Sequence, residues 1–218
     1  LQGSGMYSFM VNQLDETTPC TTIMYDPMDA ERPAIHVVGF VRTTGERYTS
    51  NEHIVRADID GGKVSKPYNA LIKDLNVVTA AAGAIGIKMS GAIGSKLENV
   101  NVKNFDVGVH ARIVWHPKFI NLNIIANQTA FYGYDIKGAK LESVYHTTNE
   151  GTGTACEIVY GDDVTVDTCI FEKSLHGFKA DRSEGIIVIN PYLEKIARNS
   201  FIIRQVGTMK VLGGSVFN

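Results

Sequence analysis

Residues Leu97–Val102 read LENVNV and residues Phe119–Ile124 read FINLNI; the second begins 22 positions after the first. Both follow the six-residue pattern apolar-x-x-apolar-x-apolar. Working outward, the pattern recurs at Ile72–Val77 (IKDLNV), Leu141–His146 (LESVYH), Val166–Phe171 (VDTCIF), Val188–Leu193 (VINPYL) and Val211–Val216 (VLGGSV). Successive starts are 25, 22, 22, 25, 22 and 23 residues apart. His146 alone breaks the third apolar place.

A second series interleaves with the first: Gly86-Ile-Lys-Met, Gly108-Val-His-Ala, Gly133-Tyr-Asp-Ile, Ala155-Cys-Glu-Ile, Gly177-Phe-Lys-Ala and Ser200-Phe-Ile-Ile. These start 22, 25, 22, 22 and 23 residues apart. The segments alternate with period two, which is the side-chain period of a strand and not of a helix. Their β-rich runs are separated by Gly, Asn and Ser turns. A fixed stride of this length means that each repeat buries its apolar side against its neighbours. The expected fold is therefore all-β, a single-stranded right-handed parallel β-helix with about seven clear coils of 22–25 residues. Stacked strands lie ~4.8 Å apart, so residues one stride apart become neighbours.

That arrangement assigns columns. Ile87, Val109, Tyr134, Cys156, Phe178 and Phe201 form one inward column, and Met89, Ala111, Ile136, Ile158, Ala180 and Ile203 another. Cys156 and Cys169 become buried, inert thiols. Asp74, Asn99, Asn121, Ser143, Thr168, Asn190 and Gly213 interrupt the hexads with residues that tolerate left-handed backbone, so the coil bends there. Stacked Asn99 and Asn121 are placed to share side-chain hydrogen bonds.

Residues 65–218 carry the regular repeat; residues 6–64 read as irregular first coils, and residues 1–5 (LQGSG) as an appended linker. Within the irregular part, Ala34–Val41 and Glu52–Asp60 look like strands, with Pro19, Pro27 and Pro33 in a lead-in loop. The strand at Val216-Phe217 leaves the last coil uncovered, as where a partner chain covers that end or, the preferred reading, in a piece of a longer chain.

Composition narrows the functions. At 44% hydrophobic and 20% charged residues, the 218-residue chain has the apolar material for a core. Lys+Arg 21 against Asp+Glu 23 gives a net charge of −2, with no cation surplus for a sequence-independent grip on nucleic acid. The longest strongly apolar run, Leu75 to Ile87, is 13 residues, too short for a spanning helix. Three cysteines without a close pair, and no CxxC, argue against a disulfide framework or a structural metal, and no cofactor motif is present. Glu150-Gly-Thr-Gly-Thr lacks the Lys of a phosphate loop and reads as a coil-to-coil turn.

The lines Gly86–Phe105 (GIKMSGAIGSKLENVNVKNF) and Gly108–Ile125 (GVHARIVWHPKFINLNII) resemble the pectate-lyase-like β-helix superfamily and, within it, the receptor-binding tailspikes of bacteriophages. The likeness covers roughly residues 70–218 and is architectural. It implies a homotrimeric virion tail protein that binds bacterial surface polysaccharide and, in many members, cleaves it as a hydrolase or lyase. No family-wide catalytic signature accompanies it.

Site residues must therefore come from the outward columns. One reads Lys88, His110, Asp135, Glu157, Lys179 and Ile202, the next Ser90, Arg112, Lys137, Val159, Asp181 and Arg204. Asp135 and Glu157, stacked ~5 Å apart, are the expected catalytic pair, one carboxyl with a raised pKa beside an ionised partner. His110 stands by as a base. Lys88, Arg112, Lys137, Lys179 and Asp181 are candidate substrate ligands, and Trp115, the only tryptophan, a candidate sugar platform in the loop Ile113–Lys118. Tyr132 falls in the loop before Tyr134, and Tyr145 and Tyr192 point outward from the hexad strand. The competing reading makes the ionisable ladder a solvated or inter-chain seam on a non-catalytic fibre or adhesin shaft. A third is a monomeric pectin- or alginate-active enzyme, marked by calcium dependence.

Overall fold

The computed structural model describes residues 21–25, 33–38, 66–79 and 83–217. Two short strands come first, β1 (Thr21–Tyr25) and β2 (Pro33–Val38), followed by β3 (Leu71–Thr79), β4 (Ile85–Ser90), β5 (Lys96–Trp115) and β6 (Lys118–Lys137). Then come β7 (Lys140–Glu142), β8 (Tyr145–Thr148), β9 (Thr154–Val159), β10 (Asp162–Asp167) and β11 (Ile170–Asp181). β12 (Glu184–Ile189), β13 (Tyr192–Arg204), β14 (Met209–Leu212) and β15 (Ser215–Phe217) complete the chain. Every pairing among them is parallel and links one coil to the next, giving a β-helix of about six turns.

The hexads stack in the expected register. Ile72, Leu97, Phe119, Leu141, Val166, Val188 and Val211 face one another in turn. So do Val77, Val102, Ile124, His146, Phe171, Leu193 and Val216. Burial repeats from Ile72 to Val188 in the first column and from Val77 to Leu193 in the second, with Leu97, Val100, Phe119, Leu122 and Ile124 fully enclosed, while Val211 and Val216 are about half exposed. His146 occupies its apolar place as a neutral ring, stacked on Phe171 at 5.0 Å. Burial of both thiols holds: Cys156 and Cys169 are enclosed and their pKa values are driven up by desolvation.

The bends also fall where small polar residues stand. Asp74, Asn99, Asn121, Ser143, Thr168, Asn190 and Gly213 all have φ between 46° and 69°. Asn99 donates to Asp74 at 2.9 Å and Asn121 donates to Asn99 at 2.8 Å, so side chains staple successive bends. A second, buried amide ladder runs beside it, Asn101 donating to Asn76 at 2.5 Å.

Two strands precede the regular repeat. β2 overlaps the strand expected at Ala34–Val41 and pairs with β4 in the column of Ile87 and Lys88. β1 was not foreseen: Thr21–Tyr25 lies between Pro19 and Pro27, yet its β-branched residues pair with Leu75–Thr79. The strand expected at Glu52–Asp60, the linker 1–5 and Cys20 lie outside the described residues.

Candidate functional site

The second strand series departs from its expected register. Phe131, not Tyr134, continues the inward column from Val109 to Cys156, and Gly133, not Ile136, lies between Ala111 and Ile158. The outward column is therefore His36, Lys88, His110, Tyr132, Glu157, Lys179 and Ile202. Its neighbour is Val38, Ser90, Arg112, Tyr134, Val159, Asp181 and Arg204. Tyr132 is a strand residue, and it takes the place beside Glu157 expected for Asp135. The physical reason is the position of three extra residues. They form the 3-10 turn Asn149–Gly151 within the coil that begins at Lys140, so the longer step lies after Phe131 and not before it. Ala130-Phe-Tyr-Gly carries the same small-apolar-x-small order as Gly108-Val-His-Ala, and a Cβ on Gly108 would meet the Ala130 carbonyl oxygen at 2.7 Å. The small residue that matters at that step is alanine.

On this ladder Glu157 is neutralised by Lys179, whose ammonium donates to it at 2.6 Å. The His110 and Tyr132 rings lie 5.0 Å apart. Burial, then the Glu157 charge, pushes the Tyr132 phenol up. Lys88 is held below its usual range by burial and by Arg112, and His36 falls to about 4 through burial and the Lys88 charge. This face is a set of interlocked side chains.

Asp135 and Lys137 belong to a different place. Asp135 has φ 53° and marks a second bend column, Gly91, Ile113, Asp135, Tyr160, Arg182 and Gln205, every member with positive φ. Two positions beyond the four central bends come Trp115, Lys137, Asp162 and Glu184, in register. Between the two columns runs an open groove of about 900 Å³, lined by Tyr134, Asp135, Lys137, Tyr160, Asp162, Arg182 and Glu184 among others.

Its side chains are held by neighbours. Lys137 pairs with Asp162 at 3.3 Å. Arg182 lies over the Tyr160 ring at 4.8 Å and donates to its hydroxyl at 2.7 Å, while its other nitrogen meets Asp181 at 3.4 Å. Tyr134 meets Tyr160 edge-on with centroids 5.4 Å apart, and Arg112 covers Tyr134 at 4.7 Å. Two aromatic rings, three carboxylates and two cations thus share one surface. Asp162 and Glu184 are backbone neighbours on adjacent coils, ~4.8 Å apart by strand spacing. Gly207 leaves room for Glu184: a Cβ there would lie 2.7 Å from its carboxyl carbon.

Of the residues expected from sequence, Asp135 and Lys137 line this groove and Asp181 and Arg112 brace its aromatic wall. Trp115 ends a strand instead of lying in a loop and stands one coil from Lys137 in the same column. Lys66 covers its ring at 4.2 Å. His110, Glu157, Lys88 and Lys179 lie on the ladder. Tyr160, Asp162, Arg182 and Glu184 were missed. A third repeated series announces them: Ile113-Val-Trp-His, Asp135-Ile-Lys-Gly, Tyr160-Gly-Asp-Asp, Arg182-Ser-Glu-Gly and Gln205-Val-Gly-Thr, starting 22, 25, 22 and 23 residues apart.

A smaller recess of about 460 Å³ lies between Ile125 and Lys173. Tyr145 is buried there, not outward, and donates to Glu172 at 2.7 Å; burial and that carboxylate push its phenol well up.

Fold and groove together define a class: a parallel β-helix that carries an open, aromatic-walled groove. The enzymatically active domain of tailspike protein 2 from bacteriophage CBA120 superposes with a TM-score of 0.54 over 66% of this chain and 24% of that one, at 9% identity. ORF18 of Geobacillus virus E2 superposes with a TM-score of 0.50 over 90% of this chain and 48% of that one, at 10% identity. This chain thus spans less than half the length of either structure. No protein-family profile matches it, and no curated protein matches it in sequence.

Proposed function

We propose that this chain is the β-helix of a phage tailspike-type receptor-binding protein, a trimeric virion component that recognises a bacterial surface polysaccharide along the Tyr134–Glu184 groove. One observation carries the reading: an open groove in which Tyr134 and Tyr160 stand beside Asp135, Asp162 and Glu184 on consecutive coils. Aromatic faces stack on sugar rings at small entropic cost. Carboxylates accept charge-assisted hydrogen bonds from sugar hydroxyls. Likeness in fold to an enzymatically active tailspike domain supports the same direction.

Cleavage is the second reading, favoured by the register of Asp162 on Glu184. Glycoside hydrolysis needs two carboxyls flanking the scissile bond, one to protonate the leaving oxygen and one to act as nucleophile or to activate water. Adjacent coils hold two such groups without further machinery. Purified protein is incubated with a panel of capsular polysaccharides and O-chains, and binding and chain length are both measured. Binding with shortening that Asp162→Asn and Glu184→Gln abolish supports the enzyme. Binding without shortening leaves recognition alone. No binding to any polymer returns the chain to a structural shaft.

A further inference from the structure

We infer that the polysaccharide taken by the Tyr134–Glu184 groove is uncharged; the inference rests on the groove being the glycan site. The charges that face the groove are the Asp135, Asp162 and Glu184 carboxylates and the Lys137 and Arg182 cations. At its edges Asp181 stands in register with Arg204, Arg112 covers Tyr134, and Asp163 occupies the bend next to Asp162. Acids outnumber bases on this surface. Capture of a polyanion needs the reverse, a surplus of cations that draws the polymer in and replaces its counterions.

The lining cations are moreover already engaged. Lys137 is tied to Asp162. Arg182 spends one guanidinium nitrogen on the Tyr160 hydroxyl, another on Asp181, and one face on the Tyr160 ring. A uronate or sulfate entering here would have to break open such a pair and then sit beside two stacked carboxylates. A neutral pyranose meets no such obstacle. Its hydroxyls donate to Asp135, Asp162 and Glu184, and its apolar face lies against Tyr160, an exposed residue. Arg182 therefore stiffens the aromatic wall, and is a positioning residue rather than an anion ligand.

The test uses purified neutral and acidic bacterial O- and capsular polysaccharides, with binding to the full chain followed from about 50 to about 500 mM NaCl. The expected result is binding among the neutral polymers, changed less than about twofold by salt and weakened about tenfold or more by Tyr160→Ala. Glu184→Gln serves as a second groove variant, and a common melting temperature shows that the variants are folded. An acidic polymer bound with a loss of tenfold or more in salt, and still sensitive to Tyr160→Ala, overturns the neutral assignment while leaving the groove in place. Binding of any polymer that ignores Tyr160→Ala and Glu184→Gln overturns the groove as the glycan site. Failure to bind every polymer overturns both.

Discussion

The Lys179 ammonium donates to the Glu157 carboxylate at 2.6 Å across one coil step, with both side chains about four-fifths covered. A carboxylate bonded this closely and this well covered, unlike the half-exposed Asp162, has little charge or surface left for a substrate. Glu157→Gln is therefore expected to leave polysaccharide binding and any chain shortening within about twofold of the unaltered protein, and to cost less than about 1 kcal/mol in urea unfolding. A loss of turnover with the fold intact would return Glu157 to the catalytic set.

Asn99 joins three coils. It donates to Asp74, accepts from Asn121, and holds φ 54° at the bend. Asn99→Ala removes both hydrogen bonds and puts a Cβ with no compensating polar group in left-handed backbone. The expected loss is about 2–4 kcal/mol. Asn99→Gly keeps the backbone conformation, forfeits only the hydrogen bonds, and should cost roughly half as much. Equal losses would mean that the bend geometry contributes nothing.

Such bends were legible because their cause is local. A residue that must take positive φ is selected at its own position, and Asp, Asn, Ser, Thr and Gly announce it. The hexads were legible for the same reason, each apolar place being filled on every coil. What failed was the alignment of the second series across Gly108–Cys156. Ala130-Phe-Tyr-Gly and Gly133-Tyr-Asp-Ile both satisfy the strand pattern, and a three-residue insertion can stand on either side. Only the packed coil decides, by seating Ala130 over Gly108 and pushing the extra turn out at Asn149–Gly151. That one slip moved Asp135 from a bend onto the ladder and hid the groove. For Tyr160 and Arg182 only the 22-to-25-residue stride of the third series marks the place, because a large side chain at positive φ is uncommon and no propensity rule points to it.

The register itself can be tested at two glycines. A methyl on Gly108 would meet the Ala130 carbonyl oxygen at 2.7 Å, a backbone atom fixed by the next coil. A methyl on Gly133 would meet the end of the Ile136 side chain at 2.8 Å, which a rotamer change can move. Gly108→Ala should cost about 3 kcal/mol, and Gly133→Ala about 1 kcal/mol. Were the two glycines equivalents on adjacent coils, the penalties measured by denaturant unfolding would match.

His146 makes the fold sensitive to acid. It is fully buried between Phe131 and Phe171, and its Nδ1 lies 3.3 Å from the Ile170 carbonyl oxygen. Desolvation outweighs that bond and lowers its pKa from 6.5 to about 3. In the unfolded chain the imidazole takes up a proton below about pH 6.5, whereas in the folded chain it does so only near pH 3. Between those values the unfolded state binds more protons, so the stability contributed by the neutral ring is intact above pH 6.5 and drains away as the pH falls toward 3. His36, lowered to about 4, adds to the same slope. His146→Phe keeps an aromatic ring in the stack and removes the titrating group. Its melting temperature should match the unaltered protein at pH 7 and exceed it increasingly from about pH 6 to about pH 4. Parallel melting curves for the two proteins across that range would show that His146 is not neutral in the core.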